Sequence, residues 1–298
     1  MKKHAFLIIA HKDDIVFRTL IKLLDVEEND IYIHMDKKNK SYNPKSIEGI
    51  VQYSDVYHIE RKKISWGGYS QIDVEVRLLE EATKRNNYLY YHLLSGEDLP
   101  IKTQKYIHKF FDENQGDEFV RFQNEIFEHK DRINYYYFLQ ELLGRNKSKV
   151  GKNIRKLSIQ IQKTMKIKRN KNIEFQKGTN WFSITDDFAR YVVSKKDWIR
   201  KVFKNTICCD EIFIQTILIN SNFKEKLYHK KFDNDIHSIM RLIDWNRGKP
   251  YTFREKDFQE LKSSDMLFAR KFQCEIDAKI VDEIYNEVNS KNGEIYNF

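Results

Sequence analysis

Apolar residues change their spacing several times along the first hundred positions of this chain, and that alternation restricts its fold more than any other feature. Phe6 to Ala10 reads as a strand, Ile15 to Leu24 has a helical pattern, and Asp30 to His34 is a second short strand ending at Asp36-Lys37-Lys38. Ile72 to Ala82 is helical again, and Tyr88 to Leu94 is a strand ending at Ser95-Gly96-Glu97-Asp98. A βα alternation of this kind implies an α/β fold with a largely parallel sheet and helices on both faces. Ligands in such sheets bind outside the carboxyl ends of the strands. His11, Asp36, Glu97 and Asp98 all fall at predicted strand ends, so they are expected on one rim.

The chain has 298 residues, 41% of them hydrophobic and 14% aromatic, enough to bury a large core in one domain spanning 1–298. Charged residues make up 33% but are interleaved with apolar ones, which predicts a soluble globular protein. The first apolar run is short and is followed at once by Lys12, Asp13 and Asp14, so a buried strand is expected there, not a signal peptide or a membrane span. Cys208, Cys209 and Cys274 form no CxxC pair and no zinc spacing, so no disulfide framework or structural zinc is expected and a reducing cytoplasm fits best.

The net charge of +9 is concentrated in one place. Arg145 to Lys171 holds eleven Lys and Arg and no acid, so the remainder of the chain nets −2. Within this basic segment, about 145–171, Ile154, Leu157, Ile161 and Met165 recur at helical spacing. An apolar stripe with cationic surroundings suits a helix lying on anionic lipid at the inner face of the cell membrane. The plain alternative is a solvated helix packed through that stripe. Nucleic acid ranks below both, because the segment contains no aromatic residue for stacking.

Several chemistries are excluded by missing motifs. There is no GxGxxG after the first strand, no GxxxxGK[ST], no HExxH and no GxSxG. Asp233-Asn234-Asp235 is a literal DxD, the pattern with which many sugar-nucleotide transferases hold a divalent cation, but it lies in a polar stretch far from the predicted strand ends. It reads as a loop or helix cap.

Three constellations remain. Asp210-Glu211 precedes the apolar run Ile212 to Leu218, which predicts a buried helix with Asp210 at its N-cap. Glu211 there would feel two opposed effects, desolvation favouring the neutral acid and the helix N-terminus favouring the carboxylate. Arg247 and Lys249 flank Gly248, and Arg270-Lys271 follows Leu267-Phe268-Ala269. Two cationic pairs set among aromatic and small residues are one way to hold a diphosphate without a metal ion. If Arg270-Lys271 is extended, its two side chains point to opposite faces. Trp181 offers a flat face for a sugar, with Asn180 beside it for hydroxyls, and Trp66-Gly67-Gly68 allows close backbone approach to a ligand. Each has a bland counterpart: acids that complement a helix dipole, solvated Arg-Lys pairs, a core tryptophan, an ordinary turn, and caps at Asp36 and Asp98.

Taken in order, Ala10-His11-Lys12, His34-Met35-Asp36-Lys37-Lys38, Trp66-Gly67-Gly68, Leu93 to Lys102 with its Ser95-Gly96-Glu97-Asp98-Leu99-Pro100, Gly178-Thr179-Asn180-Trp181, Asp210-Glu211 and Phe268-Ala269-Arg270-Lys271-Phe272 resemble the core-2/I-branching glycosyltransferase family. That family includes β-1,6-N-acetylglucosaminyltransferases and protein xylosyltransferases. The resemblance implies a GT-A-type, Rossmann-like nucleotide-sugar-binding sheet and inverting transfer from a UDP-sugar, best guess N-acetylglucosamine, to a glycan hydroxyl. It also implies no cofactor and no required divalent metal. By the same resemblance Glu211 is the base, Asp210 orients it, and Lys271 holds the diphosphate with Arg270, Arg247 and Lys249 as partners. His11, Asp36, Trp66, Gly67, Glu97 and Asp98 become candidates for the donor nucleotide and sugar, and Asn180 and Trp181 for the acceptor or sugar wall. With few cysteines the chain resembles the bacterial branch, whose members sit among surface-polysaccharide genes and whose acceptor would be a glycan on a lipid carrier. The competing classes are a metal-dependent UDP-sugar transferase or hydrolase, and a non-catalytic protein that binds carbohydrate or lipid head groups.

Overall fold

A computed structural model describes residues 2–144 and 149–292. Its main sheet has six strands in the order β3-β2-β1-β4-β7-β6, formed by β1 (His4–Ala10), β2 (Asn29–Met35), β3 (Asp55–His58), β4 (Tyr90–Ser95), β6 (Phe119–Phe122) and β7 (Gly178–Thr185). The first four of these in sheet order are mutually parallel, as the alternating pattern predicts. β7 runs antiparallel to both β4 and β6, so the sheet is mixed where a largely parallel one was expected. That reversal was hidden because β7 follows a long irregular and helical excursion with no βα rhythm.

A second sheet of three short strands, β5 (Asp98–Pro100), β9 (Phe268–Arg270) and β8 (Arg241–Ile243), lies in the order β5-β9-β8. Asp98 is registered opposite Arg270 in this sheet. Two chain segments about 170 residues apart thereby bring an acid and a cation together at the rim.

Helices cover both faces of the main sheet. α1 (Ile15–Leu24), α4 (Gln104–Glu113), α11 (Phe258–Ser263) and α12 (Lys279–Asn292) share one core cluster with β1, β2 and β4. The other face is covered by α3 (Tyr69–Arg85), α8 (Asp186–Ser194), α9 (Lys196–Phe203) and α10 (Phe213–Ile219). The helix starts follow local chemistry. Asp14 accepts the Phe17 amide hydrogen at 3.0 Å and Thr103 that of Tyr106 at 3.2 Å, each satisfying a donor that the helix leaves open. Short helices α2 (Pro44–Glu48), α5 (Lys130–Asn134) and α6 (Gln140–Leu143) and the basic helix α7 (Lys149–Thr164) complete the layer outside the sheet. Residues 145–148 of the basic segment lie outside the described residues.

The core also holds polar residues that must be paired. His4 and His92 face each other at 2.9 Å between Nδ1 and Nε2, and His92 Nδ1 meets Ser183 Oγ at 2.8 Å. Burial drives both imidazoles well below their usual range, so they are neutral and act as hydrogen-bonding core residues.

Candidate functional site

The carboxyl ends of β2, β1 and β4 lie side by side, and the residues that follow them form the rim predicted from sequence. Asp36 donates its backbone N–H to the Ala10 carbonyl at 2.8 Å, and Gly96 donates to Ile9 at 3.1 Å, fixing the turns after three neighbouring strands. His11 is exposed on this rim. Asp36 is buried and accepts from the Lys38 amide at 2.9 Å, closing a tight turn.

On one side of the rim lies a dense ionic group. Asp98 has no solvent exposure and accepts from Ser95 N at 3.0 Å, Ser95 Oγ at 2.8 Å and Arg270 Nη1 at 2.6 Å, with Arg241 Nη1 at 3.5 Å. Glu97 takes Arg270 at 3.4 Å and Lys271 at 3.3 Å on one oxygen and Gln273 at 3.0 Å on the other. The alternation expected for Arg270-Lys271 fails because β9 stops at Arg270; both side chains converge on Glu97. Three cations thus face two carboxylates, leaving an excess positive charge. Burial pulls the Arg241 guanidinium down to about 10, against the opposing pull of Asp98, so it stays cationic at neutral pH.

Trp181 is buried, not an open wall. Its ring lies 4.8 Å from the Arg270 guanidinium carbon and 5.0 Å from that of Arg241. Its visible task is to hold those cations in place. Asn180, half-buried, is the more accessible of the pair.

On the other side sits Asp210-Glu211, and here the sequence reading needs correction. α10 begins at Phe213 with Ile212 as N-cap, so Asp210 does not cap it; the turn closes instead by Ile212 N to Cys209 O at 3.0 Å. The desolvation anticipated for Glu211 falls on Asp210. Glu211 is 38% exposed and its Oε2 is held by Arg132 at 2.9 Å and Lys177 at 3.5 Å. Asp210 is buried, accepts from Gln71 Nε2 at 3.0 Å and has its carboxyl pushed up to about 7, first by burial and then by the neighbouring Glu211 charge. Beneath it Glu75 is fully buried with both carboxyl oxygens unpaired, and burial followed by the charge of Asp210 raises its pKa far above the usual range.

Gly178 and Gly67 position this side. Gly178 donates to the Glu211 carbonyl at 2.9 Å, and a Cβ there would sit 1.6 Å from the Arg121 carbonyl, so only glycine lets β7 start there. Gly67 has φ +70° and accepts from Cys208 N at 2.9 Å; a Cβ would meet Cys208 Sγ at 2.9 Å. Trp66 is half-exposed beside it. Because β7 is antiparallel to β4, its Gly178 end lies at the carboxyl end of β4. Gly178 binds the Glu211 backbone and Trp181 supports Arg270, three residues further on. The carboxylate side and the cationic side are therefore roughly 10 Å apart along one strand.

The structure does not bring Arg247 and Lys249 into that group on their own terms. Arg247 is gripped by Asp244, by Asp257 at 2.9 Å and by both oxygens of Glu260 at 2.8 Å, and lies 4.4 Å from the Tyr251 ring. Lys249 is exposed on the same turn. Asp235 caps a 3-10 turn through the His237 amide at 2.9 Å, and Asp233 meets His229 at 2.9 Å, as expected of a cap and not of a rim acid. Cys208 and Cys209 are held protonated by burial, at about 11 and about 12, and so make poor nucleophiles. Among the described residues, the ligand-type side chains close enough to share a cation are Asp14, Cys274 and Glu275, and Glu275 is already bound by Lys12 at 2.6 Å.

Sequence reasoning missed Arg132, Lys177, Gln71, Glu75 and Arg241. Arg241 carried a signal, a lone cation in the apolar run Met240-Arg241-Leu242-Ile243, since a buried charge needs a partner. Arg132 and Lys177 carried none, because surface cations are common and only the folded chain shows what they face.

A mixed α/β sheet with a cationic group and a reachable carboxylate at the carboxyl ends of its parallel strands places its functional candidates where ligands of such sheets bind. Comparison with known proteins gives the class. The model of the "Branch: Core-2/I-Branching enzyme" family matches residues 4–270, and the chain belongs to this family of glycosyltransferases. It is 23% identical over 300 residues to xylosyltransferase 2 of Canis lupus familiaris and 22% identical over 300 residues to that of Homo sapiens, each covering 93% of this chain and 33% of the relative. Xylosyltransferase oxt of Drosophila pseudoobscura pseudoobscura is 23% identical over 278 residues, covering 85% and 29%. The chain spans about a third of the length of these curated relatives. Among solved structures, apo mouse xyloside xylosyltransferase 1 aligns over 90% of this chain and 97% of its own, at 8% identity and a TM-score of 0.40.

Proposed function

We propose that this chain transfers a sugar from a UDP-sugar to a hydroxyl of a glycan acceptor by a single inverting displacement, without a required metal ion. The observation that carries the reading is the placement of a solvent-reachable Glu211 carboxylate and a net-positive Glu97/Asp98/Arg241/Arg270/Lys271 group on one rim, bridged by β7. Glu211 accepts the acceptor's proton as the new glycosidic bond forms, and Arg132 and Lys177 hold the carboxylate in place. Negative charge grows on the departing diphosphate, and Lys271 with Arg270 stabilises it more in the transition state than in the ground state. Asp98 occupies the strand end where a metal-binding acid would lie, but its oxygens are taken by Arg270, Arg241 and Ser95, which favours protein cations over a bound ion as the counter-charge.

The relatives' names favour xylose as the donor sugar, and the family reading from sequence favoured N-acetylglucosamine. Transfer from UDP-xylose and UDP-N-acetylglucosamine, each assayed with and without excess EDTA, tests both donor and metal. Activity that survives EDTA supports the proposal; loss on EDTA with rescue by Mn²⁺ establishes the metal-dependent alternative. Nucleotide binding with no turnover on either donor would support the non-catalytic reading.

A further inference from the structure

α7 is amphipathic in the wrong sense for a helix packed on its own protein. At about 100° per residue, Gly151, Arg155, Ser158 and Gln162 share one stripe, and Val150, Ile154, Leu157, Ile161 and Met165 share another, turned about a quarter of a turn away. The first stripe faces the protein. Gln162 is buried and clamps Tyr136 through both backbone groups, accepting from its N–H at 2.8 Å and donating to its carbonyl at 2.9 Å. The apolar stripe faces outward, with Leu157 63% and Met165 66% exposed. The plain alternative, a helix packed through that stripe, is therefore not what folds.

The outward stripe continues onto the segment before α7, where Phe138 is 62% and Leu142 84% exposed. Between the two lies a largely apolar cavity of about 180 Å³ lined by Tyr136, Phe138, Leu139, Leu143, Ile154 and Ile159 among others. Lys152, Lys156, Lys166 and Lys168 of the same basic segment are exposed. Arg169 is not part of that free set: its guanidinium donates to the Lys201, Val202 and Lys204 carbonyls and lies 4.4 Å from the Tyr136 ring.

We infer that this face docks on an anionic lipid bilayer, with the outward stripe of α7 and Phe138, Leu139 and Leu142 entering the interface and the lysines meeting the head groups. An unpartnered apolar stripe calls for an apolar partner. The segment from Arg145 to Lys171, with eleven cations and no acid, requires that partner to be anionic. A second copy of this chain fits poorly, since pairing such faces would bring two acid-free basic segments together. The inference deepens the transferase reading, because the same stretch is tied to the catalytic rim. Arg132 binds Glu211, Gln140 donates to the Trp66 carbonyl at 2.8 Å, and Glu141 accepts from Ser70 N at 2.9 Å. An acceptor held at a membrane surface would then be presented beside Glu211.

The test is co-sedimentation of the full chain with phosphatidylcholine vesicles containing or lacking phosphatidylglycerol, at low and physiological salt. Binding is expected only with phosphatidylglycerol and should weaken as salt rises. Lys152→Gln, Lys156→Gln, Lys166→Gln and Lys168→Gln combined should weaken it by about tenfold or more. Leu157→Ser with Ile161→Ser should abolish it while leaving UDP affinity and thermal unfolding unchanged. Equal binding to both vesicle types, or no effect of the serine pair, would overturn the inference. So would a parent dimer in sedimentation that the serine pair dissolves. Vesicle binding is read without turnover, so its failure leaves the transferase assay standing and the reverse also holds.

Discussion

Glu97-Asp98 and Asp210-Glu211 are both adjacent acidic pairs on the carboxyl side of the sheet, yet their surroundings differ. Asp98 is sealed, accepts from Arg270 and Ser95 and is ion-paired with Arg241 at 3.5 Å, and Glu97 holds Arg270, Lys271 and Gln273. In the second pair, Asp210 is buried over an unpaired Glu75, and Glu211 stands half-open beside Arg132 and Lys177. Acids whose oxygens are taken by fixed cations and neutral donors make framework and set a field. An acid left reachable by solvent is one that a ligand can meet, as the role proposed for Glu211 requires.

The contrast can be broken by neutralising one member of each pair. Asp98→Asn removes the charge that compensates Arg241 and Arg270 in a dry setting, and breaking a buried pair this way costs about 3 to 5 kcal/mol. Urea unfolding should show that loss; a variant as stable as the parent would mean that the cluster is not framework. Glu211→Gln, by contrast, should unfold as the parent does and bind UDP as well. Its turnover should fall by about 10²-fold or more, because an amide cannot accept the acceptor's proton. Near-parental turnover would remove Glu211 as the base.

The same contrast explains how far the sequence could be read. The rim was legible because strand ends follow from local periodicity: β1, α1 and β2 begin and end within two residues of their expected limits. The pairing of Asp98 with Arg270 was not, because it needs β5 and β9, strands of three residues whose partners are about 170 positions away. Asp210 and Glu211 are legible as a pair, but the desolvation expected at Glu211 falls on Asp210. Near-continuous apolarity from Ile212 to Leu218 suggested a helix starting at once, whereas a turn closed on the Cys209 carbonyl intervenes and swings Glu211 outward. Expecting alternation at Arg270-Lys271 failed for a similar reason, since periodicity says nothing about where a short strand stops.

A sharper division within the first cluster is expected from Lys271→Ala. Arg270 is 17% exposed and packed against Ser95, Asp98 and Trp181, whereas Lys271 is 21% exposed, pairs with Glu97 at 3.3 Å and is the cation of this cluster most open to a ligand. Losing one charge-assisted hydrogen bond to a diphosphate should weaken UDP binding by about 1.5 to 3 kcal/mol, measured by calorimetry, with little change in stability. If UDP binding is unchanged while stability falls, Lys271 belongs with the framework.

The effect that is smallest per unit change bears on the second pair and is read against pH. Asp210 has its carboxyl raised to about 7 in the folded protein by burial and by Glu211, against its ordinary value of 3.8. Between those values the folded state keeps a proton that the unfolded chain has released. Stability attributable to this group is therefore highest at low pH, falls as pH rises, and levels off above about 7. The slope is at most about 1.4 kcal/mol per pH unit for one proton. The buried histidines also titrate below neutrality, with His34 depressed to about 4 by burial, and they act in the opposite sense by weakening the fold as pH falls below about 6.5. The parent's profile alone mixes the two. Asp210→Asn keeps the histidines and removes only the carboxyl, so the difference in unfolding free energy between variant and parent should grow in the variant's favour from about pH 4 to 7 and then stay constant. Parallel profiles would show that Asp210 ionises like a solvated acid, and the distinction between its buried state and the open state of Glu211 would be lost.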